Sequence, residues 1–103
     1  MQTFQSELNM GLLRQALVEA TGGFAAKGFP AAERALAREL FERLSADPAM
    51  NPSLQDARVF ELALRFALKE LGPEEFQTIT GYDFDEGEAT LKQLEERARQ
   101  QDR

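Results

Sequence analysis

The chain has 103 residues, 43% of them apolar, with 18 acidic and 12 basic side chains that leave a formal charge of −6. That length and apolar content suit one domain with one core and exclude a chain too polar to fold. With no cysteine and no histidine, disulfides, thiolate or imidazole metal sites and the commonest nucleophile–base pairs are ruled out. The acidic balance opposes phosphate backbones and anionic lipid, so neither nucleic acid nor membrane is an expected partner. No run approaches the ~20 apolar residues of a membrane span. Glu7 and Asn9 stand where a secretory leader would be apolar, and the expected compartment is the cytoplasm.

Phe4, Leu8, Leu12, Leu13, Ala16, Leu17 and Ala20 recur at helical spacing, which predicts a first helix over 4–20, capped by Thr3 or Ser6. Gly22 and Gly23 are expected to end it in left-handed conformations. The following linker, GGFAAKGFP, sets Phe24 and Phe29 among glycines. Two aromatics there serve either as pins folded onto the core or as an exposed protein-binding contact.

Pro30 suits the first position of a second helix. Ala32, Ala35, Leu36, Leu40, Phe41 and Leu44 are its expected buried face, with Arg38–Glu42 and Glu39–Arg43 as ion pairs four residues apart. The residues SADP stop it, since the residue before a proline is driven out of the helical region.

The third and central helix covers about 52–71 and is apolar around most of its circumference, so other elements must cover it on several sides. It starts either at Asn51–Pro52 or through a reciprocal cap between Ser53 and Asp56. Its solvated stripe is Arg58, Glu61, Arg65 and Lys69. That stripe is either the wet edge of a buried element or a basic docking line for a partner or a second copy of the chain. Gly72–Pro73 breaks the helix, and a short one over 73–80 follows, with Phe76 and Ile79 turned inward and Gly81 as its stop. Asp83 and Glu86 open the last helix as a capping pair, and Leu91, Leu94 and Ala98 form a thin apolar seam. The tail from about 98 is expected to fray. The fold class is therefore all-α: four main helices and one short helix in a bundle-like array around the central one.

Two motifs suggest a function and fail, one on its spacing and one on its charge. Counted from Asp83 as a calcium loop, the sixth position is Glu88 and the twelfth is Leu94, where glycine and a bidentate glutamate are required. A helix-turn-helix over 73–94 would open its recognition helix with Asp83, Asp85, Glu86 and Glu88, which repel phosphate. No cofactor and no catalytic residue is expected.

What remains is charge. Glu74, Glu75, Asp83, Asp85, Glu86, Glu88, Glu95 and Glu96 fall in a stretch where Lys92 is the one nearby cation. Such a patch suits a basic protein partner. The expectation is a non-enzymatic regulator, adaptor or inhibitor of the immunity type, acting on another protein. Its candidate contacts are Asp83, Asp85, Glu86, Glu88, Arg58, Arg65, Lys69, Phe24 and Phe29. The alternatives are a homodimeric structural subunit, or a bundle with a ligand pocket lined by Phe24, Phe41, Phe60, Phe66 and Tyr82.

Overall fold

The computed structural model describes residues 8–23 and 26–101. These form an all-helical bundle with no strand among the described residues: α1 (Met10–Gly22), a 3-10 turn (Ala26–Gly28), α2 (Ala31–Ala46), α3 (Leu54–Thr80) and α4 (Phe84–Gln101). The hub is α3, which packs against each of the other three helices and most extensively against α4.

Asn9 opens α1. Its side-chain oxygen accepts the Leu12 N–H at 3.0 Å, satisfying one of the backbone donors that a helix start leaves over. The helix therefore begins later than apolar spacing alone suggests; the expected caps Thr3 and Ser6, with Phe4, lie outside the described residues. Leu12, Leu13, Ala16, Leu17 and Ala20 are buried as expected. The end differs from expectation. Gly22 is helical and Gly23 is extended (φ −91°, ψ −160°), closing the helix with its N–H on the Glu19 carbonyl at 3.3 Å and no left-handed residue.

Along α2 the expected face holds in its second half: Leu40 and Leu44 are buried and Phe41 is half-buried. In the first half Ala32, Ala35 and Leu36 are exposed, and Ala37 is buried instead. Both choices have helical spacing, and the packing of α2 against α1 and α3 selects Ala37. The expected Glu39–Arg43 pair also gives way. Arg43 instead reaches across to α3 and forks onto Asp56, with Nη2 to Oδ1 at 2.6 Å and Nη1 to Oδ2 at 3.3 Å.

The same Asp56 closes the start of α3. Its Oδ2 accepts the Ser53 N–H at 3.1 Å while Ser53 Oγ accepts the Asp56 N–H at 3.1 Å, so the reciprocal cap is used in preference to Asn51–Pro52. Burial pushes the Asp56 carboxyl up. The Arg43 guanidinium and the Ser53 donors outweigh that and hold it below its ordinary value.

Gly72 interrupts α3 with φ 77° and ψ 173°, and Pro73 restarts it as a second arm over 73–80. Phe76 on that arm is wholly buried and Ile79 half-buried. Gly81 ends it at φ 83°, a left-handed value that glycine adopts without steric cost, donating to the Gln77 carbonyl at 2.9 Å. The chain then reverses into α4, whose helical conformation continues through Gln101. Leu94 is fully buried and Leu91 half-buried. Gly87 fixes how closely α4 approaches: a Cβ there would meet Leu68 Cδ2 and Phe76 Cζ at 2.9 Å.

Candidate functional site

Between residues 70 and 91 the chain carries Glu70, Glu74, Glu75, Asp83, Asp85, Glu86 and Glu88 and no lysine or arginine. The rest of the chain has eleven acidic against twelve basic side chains, so this one segment accounts for the entire negative balance. Folding places Glu70 at the end of the first arm of α3, Glu74 and Glu75 on the second arm, Asp83 in the reversal after Gly81, and Asp85, Glu86 and Glu88 at the start of α4. All seven side chains are exposed.

The frame beneath them is packed and hydrogen-bonded. Phe76 and Phe84 meet edge-to-face with centroids 6.0 Å apart. The buried Thr80 hydroxyl donates to the Phe76 carbonyl at 2.6 Å and accepts the Tyr82 N–H at 3.1 Å. The Asn9 amide donates to Glu86, linking the start of α1 to the start of α4. Asp83, Asp85, Glu86 and Glu88 thus share one fixed corner, and Asp85 and Glu86 lie in the first turn of α4, where the helix dipole favours negative charge. Glu70, which a tally of α4 and its approach overlooks, joins the acidic segment once charge is summed over a window of about twenty residues. Glu95 is drawn off by a cation on α3, while Glu96 stays exposed.

Arg65 is that cation. It bridges Glu61 on its own helix at 2.5 Å and Glu95 on α4 at 2.8 Å, contacts that hold its proton more tightly than usual. It ties α4 to α3. Arg58 and Lys69 are exposed on the same side of α3 as Arg65. The basic row is therefore present as a surface, with its middle member held by carboxylates of the same chain.

Phe29 is a pin. It is 3% exposed and packs edge-to-face on Phe66 with centroids 5.2 Å apart. Phe24 lies outside the described residues.

The aromatics expected to line a pocket are dispersed. Phe60 is wholly within the core, Phe66 packs on Phe29, Phe41 lies under the Arg14 guanidinium at 5.2 Å, and Tyr82 covers Gly11 at the start of α1. An open recess of about 280 Å³ occurs elsewhere, between α1 and the end of α2, lined by Met10, Gly11, Arg14, Leu44, Ser45 and Pro48. One arginine and one serine give it few converging polar groups. No group of three or more Asp and Glu among the described residues is placed to hold a metal ion. None of the described helices is long and apolar enough to cross a membrane.

No family model, no curated protein and no solved structure matches the chain. Function is therefore argued from the surface itself.

Proposed function

We propose that this protein is a non-enzymatic regulator, adaptor or inhibitor that acts by binding another protein, and that the corner bearing Asp83, Asp85, Glu86 and Glu88 receives a basic surface of that partner. The observation carrying the proposal is the concentration of seven exposed carboxylates, without one cation, on a segment whose backbone is fixed by Phe76, Thr80 and Gly87. A preorganised field of one sign speeds encounter with the opposite sign and selects against acidic partners. Carboxylates carried on a packed, hydrogen-bonded backbone also cost less chain ordering on binding than the same charges on a loose tail.

Affinity capture from the native lysate tests the reading, using the wild-type chain beside a variant with Asp83→Asn, Asp85→Asn, Glu86→Gln and Glu88→Gln. A basic protein recovered by the wild type, released by salt and lost from the variant is the expected result. A partner retained equally by both would show that recognition lies elsewhere.

A further inference from the structure

Of the four carboxylates at the acidic corner, Glu86 alone has its side chain bonded to another element among the described residues: it accepts a hydrogen bond from the Asn9 amide at the start of α1. Its place in α4 makes this unusual. Glu86 stands three residues after Asp83, whose carbonyl accepts the Gly87 N–H at 3.0 Å and so opens the helix. From that position a glutamate ordinarily reaches back to the backbone of its own helix start. Here the bond goes outward, to α1.

The Asn9 amide is engaged at both ends. Its Oδ1 accepts the Leu12 N–H at 3.0 Å, so the end turned to Glu86 is the NH2 group, which only donates. The other good caps cannot do both. Aspartate would set a second carboxylate against Glu86; serine and threonine would accept from Leu12 but carry no amide to reach across. A separate contact joins the same two places: the Tyr82 hydroxyl lies against Gly11, where a Cβ would collide with it. The bond from Asn9 takes Oε2 of Glu86. Oε1, on an exposed side chain, accepts nothing from the described residues.

On the reading that the corner receives a basic surface, we propose that Asn9 is a positioning residue of that corner: by holding Oε2 it orients the Glu86 carboxylate and presents Oε1 to an arginine or lysine of the partner. Asn9 is uncharged and lies far outside the acidic run, so a search for charge passes over it. An unbonded glutamate samples several rotamers and gives up that freedom on binding, whereas one already held gives up less. Holding one such side chain beforehand is worth about two- to tenfold in affinity.

Titration with a hexa-arginine peptide at low salt, followed through the backbone amide resonances of residues 83–88, is the test. Asn9→Ser keeps a competent cap on α1 and leaves the net charge unchanged, so neither loss of the helix nor general electrostatics can imitate the effect. The wild type is expected to bind, and Asn9→Ser to raise the dissociation constant about two- to tenfold with the circular dichroism unchanged. With Glu86→Ala already in place, Asn9→Ser should change nothing further. Equal weakening in both backgrounds makes Asn9 a purely structural residue and overturns the proposal. So does a peptide affinity that Asn9→Ser leaves untouched. A wild type that does not bind the peptide overturns the acidic-corner reading, and the role of Asn9 falls with it.

Discussion

Asp56→Ala removes three things at once: the acceptor for the Ser53 N–H, a negative charge in the first turn of α3, and the carboxylate that Arg43 grips. Loss of the reciprocal cap and its charge costs about 1 kcal/mol. The ion pair adds only about 0.5 kcal/mol, because the Arg43 side chain is 53% exposed and water screens it, although the carboxylate beneath is 9% exposed. At neutral pH the expected loss is therefore about 1.5 kcal/mol, seen in urea as a midpoint lowered by roughly 1 M. The pH dependence has a definite sign. Asp56 is held below its ordinary value in the folded state, so as pH falls the unfolded chain takes up this proton first. Its contribution is complete above the ordinary carboxylate value and is lost as pH drops through the lower, folded one. Urea titrations of wild type and variant at pH 7 and near pH 2 should therefore show the gap between them shrinking in acid. A gap of the same size at both pH values would refute the electrostatic account and leave shape alone as the reason for Asp56.

Three further substitutions probe the frame under the acidic corner. Gly81→Ala places a Cβ at φ 83° in open space, so it should cost about 1–2 kcal/mol through backbone conformation alone, read from the urea midpoint. Gly87→Val drives a branched side chain into Leu68 and Phe76 and should cost about 1–3 kcal/mol while separating α4 from α3, visible as shifted methyl and ring resonances of those two residues. Leu94→Ala opens a void in the fully buried part of the α3–α4 contact and should cost about 2–5 kcal/mol by thermal or chemical denaturation.

Helix ends were the most legible part of the sequence where a special residue marks them. Gly72–Pro73, Gly81 and the Ser53/Asp56 pair each have a local physical reason to act where they do, and each does. The start of α1 was less legible because Thr3, Ser6 and Asn9 are all competent caps, and apolar spacing persists upstream of the one that acts. The face of α2 was half legible, for a different reason. Leu40 and Leu44 are buried as expected, but alanines spread over the circumference blur the edge of the stripe, and only contact with α1 and α3 distinguishes the buried Ala37 from the exposed Ala32, Ala35 and Leu36. The partner of Arg43 lies across a loop, where four-residue spacing carries no information. Of the candidate contacts, the acidic residues were readable as a charge run. Their uniform exposure, and the diversion of Arg65 to Glu61 and Glu95, required the fold.

The reversal at Gly81 has a consequence for how the chain assembles. The most extensively packed pair, α3 and α4, is joined by three residues, 81–83, so bringing the two together closes almost no loop. The bond from Asn9 to Glu86 joins positions 77 apart, and its loop-closure entropy must be met before α1 rewards it. Contact order thus places the α3–α4 hairpin early and the docking of α1 late. When the chain loosens, the start of α1 should exchange its amide hydrogens before the hairpin does, a ranking that native-state exchange measures directly.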